Sequence, residues 1–188
     1  MQDEDRKHVV EVWKAVVDVQ QHFNDISMRI RGMFVTILLA LFASIGFLLD
    51  KKLSLGFGRL HVTFATLIPL FGIFGTWLFY FIDRFWYHRL LVGSVNHAIE
   101  IENKYKAEMP ELSLSAAIGA VSPYKPGCIV NLFAKLLVRH DKYRKTGQLH
   151  SEGKIELFYK AVMLVLFVTM IVLACTGGVT LDSPIRAS

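Results

Sequence analysis

Three runs of this chain carry no charged residue, and they limit what it can fold into. Met33 to Leu49, Val62 to Ile82 and Ala161 to Thr180 each approach or reach span length, since a helix needs roughly 20 residues to cross a hydrocarbon core of about 30 Å. A buried helix of a soluble domain would carry a polar stripe, and these runs show none. At 53% hydrophobic and 20% charged residues over 188 positions, the chain is also too apolar for an ordinary soluble domain of its size. The expected fold is an all-α integral membrane protein. Spans are expected at 33–49, 62–82 and 158–180, with long helices extending from the bilayer into the cytoplasm. The first run begins more than 30 residues into the chain, behind a long polar stretch and without a small-residue cleavage site. It is therefore expected to stay in the membrane and not to act as a signal peptide.

Lys and Arg distribution orients such a chain. Seventeen of these residues lie before the first span or in the segment between the second and third with its flanks, Lys160 included. Four lie in the hairpin between spans one and two (Lys51, Lys52, Arg59) or in the C-terminal tail (Arg186). The N-terminus and residues 83–157 are thus expected in the cytoplasm and the C-terminus outside, which for a bacterial chain means the inner membrane and the periplasm. The net charge of +5 then describes a basic face beside anionic headgroups, and direct binding of nucleic acid is not expected.

Before the first span, Val9, Val12, Val16, Val19, Phe23, Ile26 and Ile30 recur with alternating steps of three and four. This is an unbroken heptad seam over residues 5–31, mostly β-branched. Two partners would bury it: a helix of the same chain, or further copies. So small a protein offers little of its own to cover it, so the expected partner is the chain itself, as a homo-oligomer of four or more subunits. No proline separates the seam from the first span, so one nearly continuous helix is expected from about Asp5 to Leu49. Residues 128–142, with Ile129, Phe133, Leu136 and Leu137 set against Lys135, Arg139 and Lys142, read as a basic amphipathic helix of the kind that lies in a membrane interface. Pro110, Pro123 and Pro126 break the pattern before it, and residues 109–127 fit a short helix or a strand equally well.

The second span leaves through "YFIDRFWYHRLLVGSVNHAIEIE", Tyr80 to Glu102. Trp86 and Tyr87 are headgroup-level residues, and Arg84 and Arg89 have the sign the cytoplasmic side requires. Asp83 is expected to pair with Arg84 or with a base on a neighbouring helix. His88, about one turn after Arg84, is expected to face the first helix near Asp25 and Arg29, with Arg84 pairing with an acid there such as Asp25. Most of this stretch reads as a membrane-exit belt. Asp83, Arg84, Trp86, Tyr87, His88 and Arg89 together are the candidate gating residues.

No catalytic constellation, cofactor motif or metal-ligand spacing appears. His88 and His97 are nine residues apart, out of phase for a two-histidine helix site. Arg144 and His150 match the loose Arg-x(4–6)-His pattern of HEPN-type ribonucleases, a spacing that arises often by chance in a basic segment. The spans hold no ionisable residue at their centres, as a selective transporter would need. They do hold two small-xxx-small pairs, Ala40 with Ser44 and Gly72 with Thr76, which let helices approach closely in lipid. Cys128 and Cys175 are expected on opposite sides of the membrane and unpaired.

Two segments together, "HFNDISMRIRGMF" entering the first span and "DRFWYHRLLVGSVNHAIEIE" leaving the second, resemble the small membrane effectors of bacterial anti-phage systems. These are the SLATT-like two-span proteins found beside retron- or CBASS-type components. The resemblance covers roughly residues 5–105. It implies a non-enzymatic, oligomeric inner-membrane protein that forms or gates a pore and depolarises the membrane. Its implied partners are lipids, its own copies and a cytoplasmic defence-system protein. The third span departs from the two-span layout. Two other functions also fit the residues: a membrane anchor recruiting a cytoplasmic nuclease or nucleotide-signalling partner, and a membrane-tethered HEPN-like ribonuclease.

Overall fold

The computed structural model describes residues 2–139 and 141–181; Arg186, counted above, lies outside them. One helix, α1, runs Asp3–Lys51 without a break. Its 49 residues span roughly 73 Å at 1.5 Å per residue. It opens with Asp3, Glu4 and Asp5 and closes with Lys51, each of the sign that complements the helix dipole. Lys52 then takes a positive φ of 52°, the left-handed residue that commonly ends helices.

The chain next folds into a hairpin, β1 (Ser54–Phe57) and β2 (Leu60–Thr63), closed by Gly58 and Arg59. Gly58 sits at φ +63°, a conformation glycine adopts without a Cβ clash. Helix α2 (Phe64–Phe81) passes through a π-helical segment, Ile82–Tyr87, into α3 (His88–Lys104). Short helices α4 (Leu114–Val121), α5 (Cys128–Leu137) and α6 (Asp141–Thr146) follow. Helix α7 (Ser151–Leu173) ends in a second π segment, Ala174–Gly178, and strand β3 (Val179–Leu181). β3 pairs antiparallel with β2, giving a three-stranded sheet in the order β1-β2-β3.

Three helices are long and apolar enough to cross a membrane: α1, the continuous helix Phe64–Lys104, and the helix from Ser151. Only 11%, 28% and 11% of their most apolar windows is buried within the protein. Their apolar side chains therefore point outward, the reverse of a soluble core. The span boundaries differ from the hydropathy reading in three places. Val62 and Thr63 are strand and not helix, as are Val179 and Thr180. These are β-branched residues that suit a strand, and hydropathy does not separate an apolar strand from an apolar helix. Helix α7 begins at Ser151, seven residues before the expected 158, with Glu152 in its first turn. The segment expected as one amphipathic helix over 128–142 is two helices, broken where Val138 turns extended (φ −90°, ψ 117°). Residues 109–127 contain a helix, α4, and Tyr124 then makes a two-bond antiparallel bridge to Leu149.

The chain divides into two compact units. One comprises the chain up to Arg31 with Tyr80–Leu157; the other comprises Gly32–Phe79 and the chain from Phe158 on. In the apolar unit, Phe34 packs against Phe79, Phe158 and Tyr159 with ring centroids 5.0 to 5.9 Å apart. Gly72 lets α2 approach its neighbours, since a Cβ there would stand 2.7 Å from Leu41 Cδ1 and 3.2 Å from Leu166 Cδ1. Gly72 and Thr76 are both buried, whereas Ala40 and Ser44 are exposed. Of the two small-residue pairs, only the first packs within the chain.

In the polar unit, a small core of Ala134, Val138, Tyr143 and Leu149, with Leu157 against it, ties α5, α6 and α7 together. The heptad seam is unevenly covered. Val9 is buried, Val16, Phe23, Ile26 and Ile30 are half-buried, and Val12 and Val19 are exposed at 39% and 47%. An open groove of about 510 Å³ runs along it, lined by Val12, Val16, Val19 and Phe23 with Leu90 and Gly93 of α3. The seam thus meets its own chain on one flank and leaves the other apolar and uncovered.

Candidate functional site

The π segment decides what the exit stretch does. Its C-cap, His88, donates its backbone N–H to the carbonyl of Asp83, five residues back. One π turn in place of an α turn puts Asp83 and His88 on the same buried face, at 0% and 5% exposure. A regular helix would instead have put Phe85 with His88, but Phe85 is 48% exposed. Trp86 is exposed at 61% and stacks on the half-buried Tyr87; Arg89 is exposed.

Asp83 pairs with Arg31 of α1. The guanidinium donates from Nε to Oδ2 at 2.7 Å and from Nη2 to Oδ1 at 3.2 Å, the forked geometry that makes arginine–carboxylate pairs strong. The carboxylate is fully buried while the Arg31 side chain keeps 31% exposure. A base on a neighbouring helix was one of the two expected partners. Arg84 was expected to reach Asp25, and it does not. It donates from Nη1 to the Glu152 carbonyl at 2.7 Å and from Nη2 to Glu152 Oε2 at 3.3 Å. Asp25 and Arg29 are exposed. The α1 residues turned inward at this level are Ser27 and Arg31, one turn apart and two positions past Asp25 and Arg29. Two ion pairs therefore link α1 to the π segment and the π segment to α7.

His88 lies among these charges. Its burial lowers its pKa below the usual 6.5, against the pull of Glu152 and Asp83 and with the help of Arg31 and Arg84. Its Nε2 has no hydrogen-bond partner; neither does the buried Oγ of Ser27. His88 forms part of the wall of a cleft of about 670 Å³ within this unit. The cleft also takes in Gln20 and Asn24 of α1, Asn96 of α3, Ser115 of α4, Lys142 of α6, and His150 and Ser151 at the start of α7.

The pair Arg144 and His150 is split. Arg144 lines a separate cavity of about 410 Å³ with Lys125, Lys135 and Tyr143, and His150 lines the cleft with His88. Among the described residues no group of three or more His, Cys, Asp or Glu side chains gathers in one place. Cys128 and Cys175 are both free and exposed.

A second constellation, around Glu102, was missed by sequence reasoning. Glu102 is buried and accepts from Trp13 Nε1 at 3.2 Å, from the Ser115 amide at 2.8 Å and from the Ala116 amide at 2.9 Å. Burial alone would raise its pKa; the two amides, with Trp13 and Ser115, hold it below the usual carboxylate value. A carboxylate at the buried end of an apolar helix face was the sequence signal for it.

No family model, no curated protein and no solved structure matches this chain.

Proposed function

We propose that the chain is an oligomeric membrane effector, inserted in a bacterial inner membrane with its polar unit in the cytoplasm, that forms or gates a pore and depolarises the membrane. The observation carrying this reading is the pair of bridges Arg31–Asp83 and Arg84–Glu152. Each lies within a few residues of where α1, α2 and α7 pass into their apolar runs. One of the connected segments is π-helical, a feature frequent at functional sites in helices. Rearrangement of the polar unit acts on the spans because α1 is a single helix and α2 continues into α3. The resemblance to anti-phage effectors gives the reading its biological setting, abortive infection.

Oligomerisation runs along the uncovered flank of the seam. Val19 is exposed within the chain, so Val19→Asp leaves the protomer's own packing intact while placing a charge where copies would meet, at a cost of several kcal/mol when unpaired. Val19→Asp is expected to shift the protein to smaller species in detergent and to abolish depolarisation in cells expressing it; Lys14→Glu, on an exposed position, should change neither. Retention of the native oligomer by the Val19 variant would exclude the seam as the interface, and a wild-type chain that leaves membrane potential unchanged would exclude the effector reading.

The orientation has its own test. In a Cys175→Ser background the exposed Cys128 should resist an impermeant thiol reagent applied to intact spheroplasts and react after lysis. A cysteine placed at the exposed Ser54, in a chain lacking both native cysteines, should react from outside. The opposite pattern inverts the topology.

The anchor reading is favoured by α5, whose Ile129, Leu132 and Leu136 are 73%, 68% and 71% exposed beside Lys135. Co-purification of a soluble partner dependent on these residues, without depolarisation, would favour it.

A further inference from the structure

The cleft holding His88 has the construction of an anion site, and nothing in the pore reading requires it. Its floor is the N-terminus of α7, a helix of 23 residues. First-turn amides of a helix have no carbonyl ahead of them and carry the positive end of the dipole. Around that end stand Lys142 and His150, with Ser151 on the first turn itself. The Ser151 hydroxyl lies 3.2 Å from that of Ser122, whose carbonyl takes a bond of 2.7 Å from Lys154 Nζ. One ammonium, one imidazole and two hydroxyls thus line one helix start.

One acid, Glu152, is among the described residues of the cleft wall, and Arg84 already engages its carboxylate. With Glu152 engaged by Arg84, the remaining formal charge on the described wall is that of Lys142. The second, independent observation is His88 itself. It is more than nine-tenths buried in the same wall, with an unpartnered ring nitrogen. A buried polar group left unpaired costs free energy, and a ligand that bonded it would recover that cost. The rest of the wall is neutral and polar: Gln20, Asn24 and Asn96 offer carboxamides that both donate and accept. At about 670 Å³ the cleft is within the size range of small-molecule sites.

We propose that this cleft binds a phosphomonoester. The phosphate sits at the start of α7 between Lys142 and His150, as helix N-termini hold phosphates elsewhere. The carboxamides of α1 and α3 bond the hydroxyl-bearing remainder, and His88 bonds the ligand from the buried side. Bound there, the ligand touches the residue that lies between the two ion pairs and is therefore placed to regulate them. Two sources supply this chemistry: a soluble phosphate ester, or a phosphatidate headgroup reaching the cytoplasmic surface.

The test uses the full-length chain in maltoside micelles, titrated calorimetrically with inorganic phosphate, with glycerol 3-phosphate and with glycerol. Glycerol 3-phosphate is expected to bind and glycerol is not. Lys142→Ala and His150→Ala are expected to weaken binding by about tenfold or more each, the usual scale for a charged hydrogen bond. Lys142 is exposed, so that variant should fold as the wild type does. His88→Gln should weaken binding while leaving the phosphate's dependence on Lys142 intact. Chain in nanodiscs with and without phosphatidic acid separates the sources. Stabilisation by phosphatidic acid with no response to glycerol 3-phosphate assigns the headgroup; the reverse assigns the soluble ester. Binding unaffected by Lys142→Ala and His150→Ala, or no response to any phosphate probe in micelles or nanodiscs, overturns the site. Because the readout is binding, failure here leaves the depolarisation test untouched.

Discussion

Replacing Arg31 by alanine is expected to destabilise the polar unit by about 3–5 kcal/mol, the cost of leaving a buried charge without its partner. Asp83→Asn is expected to cost less, about 1–2 kcal/mol. The asymmetry follows from exposure. Asp83 is fully buried and Arg31 keeps about a third of its side chain in contact with solvent. Without Arg31 the carboxylate must stay dehydrated, take up a proton or open the helix contact. Without the charge on Asp83, the guanidinium turns outward and is rehydrated, and the asparagine still accepts one bond. Hydrogen exchange across residues 83–104, in mixed micelles, reads the difference directly. The Arg31 variant should lose protection through the π segment and the first turns of α3, whereas the Asp83 variant should lose it only near position 83. Equal losses in the two variants would mean that the pair is not buried as described. If the proposed function holds, Arg31→Ala also deregulates or abolishes depolarisation without changing membrane insertion.

The architecture and this pair differ in how far the sequence could foretell them. Three charge-free runs and an unbroken α1 follow from composition and from the absence of proline, because hydropathy and helix continuity are local properties. The Asp83 pairing is not local. It depends on a π turn, which adds a residue to one turn and shifts every earlier position out of a 3.6-residue pattern. Counting back one α turn from the buried His88 reaches Phe85, which is exposed, whereas the buried residue is Asp83. Arg84 illustrates a second limit. Its partner, Glu152, lies 68 positions away, on a helix that starts before the expected span, and periodicity carries no information about contacts at that separation. The strands escaped for a third reason: Val62–Thr63 and Val179–Thr180 are as apolar as the spans beside them. The seam was legible as a pattern while its partner was not. Val9 is covered by the chain's own residues, whereas Val12 and Val19 are left open, and the spacing is the same in both cases.

Glu102→Ala is expected to cost about 2–4 kcal/mol and to unravel α4, because this carboxylate serves a helix to which it does not belong. Helix α4 starts at Leu114, and its N-cap, Ser113, makes no side-chain capping bond. The amides that an N-cap would satisfy are those of Ser115 and Ala116, and both donate to Glu102 instead. A lost cap costs about 1 kcal/mol; stranding buried amides and the Trp13 indole N–H adds about 1–3 kcal/mol. Glu102→Gln should fall between alanine and wild type, since one carboxamide oxygen replaces two acceptors and its NH2 faces a donor. The pH dependence separates a charge from a mere shape. The Glu102 pKa is held below its usual 4.5, so its contribution is full above that value and is lost as pH falls through the lowered one. Wild-type protein should therefore lose stability on acidification below about pH 5 more steeply than Glu102→Gln does. Trp13 fluorescence and exchange at Ser115 and Ala116 report the site itself. Parallel acid profiles for the two proteins, or unchanged protection of those amides in the alanine variant, would show that α4 is held by its packing and not by this carboxylate.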